Sequence, residues 1–427
     1  MLARLDLRGF SGDVAARLTR SRPEDDAPLE AVREIIRNVR ERGDSAVREY
    51  SERFDGCTLE DFSVPAAEIA DALERVTPGV RAALEYARDE IHAYHEAQLG
   101  ETVEVDRKGV RVRELVLPVD RVGCYVPGGR AAYPSTVLMT VIPARIAGVR
   151  QVLLCVPPDR EGKVPTATLA AAAVAGVDQV FRVGGAQAIA AMAYGTESIP
   201  RADLIVGPGN IYVSLAKREV AGDVGIETLA GPSELVVVAD GSAAPELVAA
   251  DLLAQTEHGP GGTAVVVTWD ESVATGVDAA IVQLLEDSPR RSDIESALAT
   301  GGQSVLVDGP EQAMDVANAI APEHLELMTE DPDQLVALVR NAGAVFCGPL
   351  ASAVIGDYVA GVNHVLPTGG SARFGSALRV DDFQKHVHVV SMDKDALARV
   401  APHVRAFAEV EGLAEHGRSV AMRGADQ

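Results

Sequence analysis

VLLCVPPDREGKVPTATLAAAAVAGVDQVFRVGGAQAIAAMAYG, residues 152 to 195, decides the fold. VLLCV (152–156) is a short apolar run stopped by two prolines, so it reads as a buried strand. ATLAAAAVAG (167–176) is alanine-rich and ends in glycine, the composition and stop signal of a helix. QVFRVGG (179–185) repeats the strand signature and AQAIAAMAYG (186–195) the helical one. Parallel neighbours need a crossover between them, so strand–helix alternation of this kind predicts a parallel sheet covered by helices.

The pattern extends in both directions. DLIVGPGN (203–210) reads as a strand turning into the helix IYVSLAKREVAG. A second series follows: strands ELVVVAD (234–240), TAVVVTW (263–269), SVLVD (304–308) and AVFCG (344–348), with helices between them. Upstream, 27–54 and 66–98 have helical apolar spacing, and VRVRELVLPVDRVGCYV (110–126) alternates as strands do. Beyond about Gly370, DDFQKHVHVVSM is strand-like and 394–423 helical. The fold class expected is α/β, with two doubly wound, Rossmann-like domains, a short N-terminal arm and a C-terminal α+β appendage. The expected boundaries are 1–22 for the polar arm, 23–116 with 235–370 for a discontinuous first domain, 117–234 for the second, and 371–427 for the C-terminal segment.

Composition narrows the function. The chain has 427 residues and a net charge of −24, without a Lys/Arg cluster, so no nucleic-acid partner is expected. No apolar run is long enough for a bilayer and the start lacks a signal-peptide core, so a cytoplasmic protein without a membrane partner is expected. Cys57, Cys124, Cys155 and Cys347 lie far apart and read as reduced thiols, mostly buried.

Chemistry in doubly wound folds sits beyond the carboxyl ends of strands. YVPGGR (125–130), VGGAQ (183–187), VGPGN (206–210) and LAGPSE (229–234) are glycine-bearing segments read as strand-to-helix junctions, where backbone N–H groups can approach a phosphate. The G-x-G-x-x-G fingerprint is absent, since GPGNIY has Tyr212 where a small residue is wanted. In DLLAQTEHGPGG (251–262), Gln255 and His258 share a helix face. Zinc wants about four N, O or S donors, and without Cys pairs His258, His416 and Asp357 are the natural ones, with Gln255 tolerable as a fourth; a surface accident is the competing reading. Glu323 and His324 are a candidate acid–base pair, able to flank one substrate only if the backbone bends. His364 lies in a shaped loop with Asp357, and His416 five residues after Glu411. His92, His95, His386 and His388 are read as structural, and His403 gives no signal.

Together, YVPGG, STVLM, PARIAG, VGGAQAIAAMAYGTESIP, VGPGN, AGPSE, LLAQTEHGP, APEHLEL, NAGAVFCG, GDYVAG, NHVLPT and EGLAEHG closely resemble the histidinol dehydrogenase family, nearly end to end. The resemblance implies four-electron oxidation of L-histidinol to L-histidine through L-histidinaldehyde, with two NAD+ reduced. It implies one Zn2+ per subunit on Gln255, His258, Asp357 and His416, and Glu323 with His324 as the catalytic acid–base pair. NAD+ contacts map onto Tyr125, Gln187 and Asn210. Substrate contacts map onto Ser233, Gln255, His258, His324, Asp357, His364, Glu411 and His416. It further implies a homodimer whose C-terminal segment crosses over, so that His416 and Glu411 complete the partner's site. Thr228, Leu229, Val362 and His386 depart from the family's usual residues. They keep open a paralogue oxidising another small polar alcohol; a zinc hydrolase is a further alternative.

Overall fold

The computed structural model describes residues 2–18, 28–128, 131–228, 231–257 and 261–425. Its strands are β1 (Ala3–Asp6), β2 (Glu104–Arg107), β3 (Val110–Pro118), β4 (Arg121–Tyr125), β5 (Gln151–Val156), β6 (Gln179–Arg182), β7 (Leu204–Val206), β8 (Gly225–Ile226), β9 (Glu234–Ala239), β10 (Thr263–Thr268), β11 (Gly302–Leu306), β12 (His324–Met328), β13 (Ala344–Cys347) and β14 (Gln384–Met392). The chain divides into two compact units, Met1–Gln98 with Asp120–Phe383, and Leu99–Val119 with Gln384–Gln427.

The first unit holds two parallel sheets, which bears out the α/β class. One is five-stranded in the order β6-β5-β4-β7-β8, the other six-stranded in the order β1-β11-β10-β9-β12-β13. The valine runs explain why β9 and β10 are central. Side chains alternate across the sheet, so Val237, Val266 and Ala264 join one core while Val236, Val238, Val265 and Val267 join the core on the other face. The helices Pro245–Thr256 and Glu271–Leu285 supply the first core, and Pro310–Ile320 the second.

Two parts of this unit differ from the sequence reading. Residues 1–22 are not simply a polar arm: β1 is an edge strand, with Ala3 opposite Gln303 and Asp6 opposite Leu306. Its exposed, charged side chains look like an arm because an edge strand needs only backbone partners. Residues 19–22 lie outside the described residues. The N-terminal helices, expected with 235–370, pack instead on the five-stranded sheet. Leu29–Arg42 buries Val32, Ile35, Ile36 and Val39, one helical stripe, against Ile189, Val213 and Val220. Ala66–Arg75 packs on Thr166–Ala175, and Pro78–Glu96 on Pro134–Ile146.

In the second unit β3 pairs antiparallel with both β14 and β2. Residues 110–116, expected in the first domain, therefore belong to a separate small sheet with the C-terminal segment. The 110–126 stretch is two strands in two sheets, broken after Pro118. Asp393 caps the helix Lys394–Val410 by accepting from the Ala396 amide at 2.7 Å. His386 and His388 share one face of β14 and both approach Glu114 of β3, a surface pairing in keeping with a structural role. Cys57, Cys124 and Cys155 are buried free thiols and Cys347 is exposed. Among the described residues no helix is long and apolar enough to cross a membrane.

Candidate active site

Helix Pro310–Ile320 stops at Ala321, which takes a left-handed conformation (φ 53°) uncommon for a residue with a Cβ. Pro322 then bars any return to helix, and the chain turns into Glu323 and His324, the first residue of β12. This is the bend the Glu-His dipeptide requires. Glu323 Oε2 accepts from the Glu234 amide at 2.9 Å, and the carboxyl is also hydrogen-bonded to the Ser233 side chain. His324 Nδ1 stands 3.6 Å from Glu323 Oε2, and its Nε2 stands 3.4 Å from Asp357 Oδ1. Asp357 lies on the short helix Ala353–Tyr358, and His364 Nδ1 donates to its carbonyl oxygen at 2.9 Å. His364 Nε2 then meets Thr136 Oγ1 at 3.2 Å. Ser233, Glu323, His324, Asp357 and His364 are thus one connected group. Asn363 beside it anchors the loop by donating to the Met139 carbonyl at 2.7 Å and meeting buried His95. His95 is structural, as expected: burial lowers its pKa and its Nδ1 bonds the Ile91 carbonyl.

Gln255 is in the last turn of Pro245–Thr256, buried, with its Nε2 unpartnered. His258 lies outside the described residues, as do Leu229 and the Gly129-Arg130 end of YVPGGR. Glu411 and His416 are exposed in the second unit, at the end of Lys394–Val410 and within Ala414–Val420.

This group gathers at the amino ends of β9, β12 and β13, not at the carboxyl ends expected. LAGPSE likewise precedes β9 and is no strand-to-helix junction. Two helices finish at this end: Pro245–Thr256 ends beside Gln255, and Pro310–Ile320 just before Glu323. Helix C-termini carry partial negative charge, so the location favours a cation where a carboxyl-end site would favour a phosphate. Burial pushes the Glu323 carboxyl up to about 7, against the pull of His324. Burial also disfavours the charged imidazole of His324, yet Glu323, Asp357 and Glu326 outweigh it and raise its pKa to about 9. Among the described residues no three His, Cys, Asp or Glu side chains are grouped so as to hold a metal ion by themselves. Gln255 and Asp357, both of the first unit, carry oxygen donors of the kind zinc accepts.

Tyr125, Gln187 and Asn210 do lie beyond carboxyl ends, after β4, β6 and β7. The strand order reverses between β4 and β7, which is where such folds leave a crevice. Tyr125 OH accepts from the Gly185 amide at 3.0 Å, and burial pushes its own pKa up. Asn210 caps Ile211–Val220 through Oδ1, 3.1 Å from the Tyr212 amide, leaving its amide NH2 for a ligand. Gln187 is buried and its Oε1 has no partner, as a group awaiting a ligand would be. Gly207 (φ 118°) lies so close to the Tyr125 carbonyl that a Cβ would overlap it.

The sequence reading missed what holds that turn. Glu227 Oε1 accepts from the Gly207 amide at 2.6 Å and from Lys217 Nζ at 2.7 Å, while Lys217 also donates to the Gly207 carbonyl at 3.1 Å. Both charged side chains are 2% exposed. The available signal was a lysine on the Val213–Val220 stripe of an amphipathic helix.

A sequence profile described as histidinol dehydrogenase matches residues 18–424. The histidinol dehydrogenase of Parasynechococcus marenigrum (strain WH8102) is 48% identical over 390 residues, covering 91% of this chain and 89% of that one. That of Moorella thermoacetica (strain ATCC 39073 / JCM 9320) is 48% identical over 395 residues, covering 92% and 93%. The crystal structure of histidinol dehydrogenase from Elizabethkingia anophelis is 34% identical and matches with a TM-score of 0.94, covering 99% of this chain and 98% of that one.

Proposed function

The chain belongs to the histidinol dehydrogenase family of oxidoreductases, and from that premise we propose that it oxidises L-histidinol to L-histidine through L-histidinaldehyde with two NAD+. The observation that carries the reading is the connected series Ser233–Glu323–His324–Asp357–His364, a buried acid–base pair with a half-buried carboxylate beside it at a negatively poled end of the sheet. Zinc would be held by Gln255, His258 and Asp357, with His416 from the partner subunit in a homodimer. When bound, zinc supplies an anchor for the substrate's imidazole and amine, and NAD+ supplies the electron acceptor. Tyr125, Gln187 and Asn210 would hold the cofactor, and Gln187's unpartnered carbonyl fits that task.

The chain's own residues handle water and protons. The His324 ring holds a proton up to about pH 9, so His324 first passes a proton to Glu323, 3.6 Å from Nδ1, and only then takes the hydroxyl proton in the first oxidation. Glu323 releases the proton it received to solvent, as a carboxyl poised near 7 can, and is then free to draw a proton from water as it adds to the aldehyde. Ser233 and the Glu234 amide keep Glu323 aimed through both steps. His364, Ser233 and Glu411 would contact the substrate's polar groups.

The homodimer reading is supported by apolar side chains of the second unit left exposed, Phe407, Val410 and Met422 among them. A cytoplasmic location would be in keeping with a biosynthetic enzyme of this family. Zinc-loaded protein given L-histidinol and NAD+ tests the proposal. Two reduced cofactors per histidine are expected. Turnover of another alcohol alone would assign a paralogue's substrate, and cleavage of an ester or amide without cofactor reduction would overturn the dehydrogenase reading.

A further inference from the structure

One buried carboxyl remains without a task. Glu326 is two residues beyond His324 on β12, hence on the same face of the strand, and is 1% exposed. Its Oε1 accepts from the Ala353 amide at 2.7 Å, at the start of the helix that carries Asp357 one turn later. Its Oε2 has no donor among the neighbouring groups. What Glu326 meets instead is a second carboxyl, Asp251, within hydrogen-bonding reach. Asp251 lies one turn before Gln255 on Pro245–Thr256.

We propose that Asp251 and Glu326 share a single proton and act as a positioning pair, the carboxyl–carboxylate hydrogen bond tying together the three elements that carry His324, Gln255 and Asp357. Two buried carboxylates in contact cannot both be ionised at little cost, whereas one proton between them makes a short, charge-assisted bond. Burial raises both groups, and Glu326, the deeper of the two, is where the shared proton is placed. Every link then has a donor: Ala353 N–H to Glu326 Oε1, and Glu326 Oε2–H to Asp251. The side chains of β12, Pro245–Thr256 and Ala353–Tyr358 are thereby held in one register, 75 and 27 residues apart along the chain from Glu326. The positioning role rests on the proposed reaction; the shared proton does not.

Infrared spectroscopy of the metal-free protein at neutral pH tests the proton directly. A protonated-carboxyl stretch is expected that disappears in Glu326→Gln, shifts in frequency in Asp251→Asn as its acceptor changes, and survives in Glu323→Gln. Its absence from the wild type, or its survival in Glu326→Gln, overturns the shared proton. Kinetics test the positioning. Gln mimics protonated Glu, accepting from Ala353 and donating to Asp251, so Glu326→Gln should keep a kcat near wild type. Glu326→Leu should lose about 100-fold in kcat, the cost of slight misplacement of reacting groups, with little change in KM for NAD+. If Glu326→Leu does not fold, the Asp251→Leu variant carries the same expectation. Glu326→Gln as impaired as the leucine variant would refute positioning by the shared proton. Wild-type protein that does not oxidise histidinol would refute the function while leaving the infrared result to decide the pair.

Discussion

Replacing Lys217 by Met keeps most of the aliphatic stem and removes the ammonium group that Glu227 faces at 2.7 Å. At an effective dielectric of about 20, two charges that close attract by about 6 kcal/mol, and the variant forfeits that attraction if Glu227 stays charged. Breaking one side of a buried pair typically costs roughly 3–5 kcal/mol, because the remaining charge is left without a partner. Hydrogen exchange of a peptide covering residues 204–220 reads it locally, which suits a chain too large for a single two-state transition. Relative to wild type, protection should fall about 100-fold or more. The double variant Lys217→Met/Glu227→Gln should regain much of the loss, since the amide oxygen can still accept from Gly207. Equal protection in Lys217→Met and wild type, or no recovery in the double variant, would refute the reasoning.

Burial alone raises Asp55 from 3.8 to about 6, so the folded chain keeps this proton where the unfolded chain has lost it. Stability is full below pH 4, falls as pH rises through 6, and stays lower above it; Asp55→Asn should therefore gain about 1–2 kcal/mol at pH 8, after discounting for partial exposure, and nothing at pH 4, by thermal midpoints. Gly207→Ala forces a Cβ onto the Tyr125 carbonyl and a strained φ, so it should destabilise by about 2 kcal/mol or more and weaken NAD+ binding in calorimetry. Glu323→Gln should keep its metal content while losing about 100- to 10,000-fold in aldehyde oxidation; a normal rate would remove Glu323 as the water-activating base. Mixed dimers of Glu323→Gln and His416→Asn should recover activity that neither homodimer has, and no recovery would mean that each site is built within one chain.

The two parallel sheets were legible because their central strands are continuous apolar runs, and burial on both faces demands that composition. β1 was not, because ARLD has no pattern of its own and becomes a strand only through a partner 300 residues away. The stripe Val32–Val39 announced a buried face without saying which sheet it covers; amphipathic spacing carries no address. Glu323 and His324 could be picked out, yet their place at the amino ends of strands follows from topology, which periodicity does not report. Lys217 with Glu227, and Asp251 with Glu326, escaped notice because buried charge looks like surface charge until its partner is located.

The pairing of β1 with β11 also bears on how the chain is made. Ala3 leaves the ribosome roughly 300 residues before its counterpart Gln303, a wait of about 15–60 s at ordinary elongation rates. The five-stranded sheet and the helices over it have all their parts by Ile226, well before that wait ends. β1 thus stays unclasped while one whole sheet can already close. Leu2, buried and with its amide bonded to Asp278, waits with it for that later half of the chain.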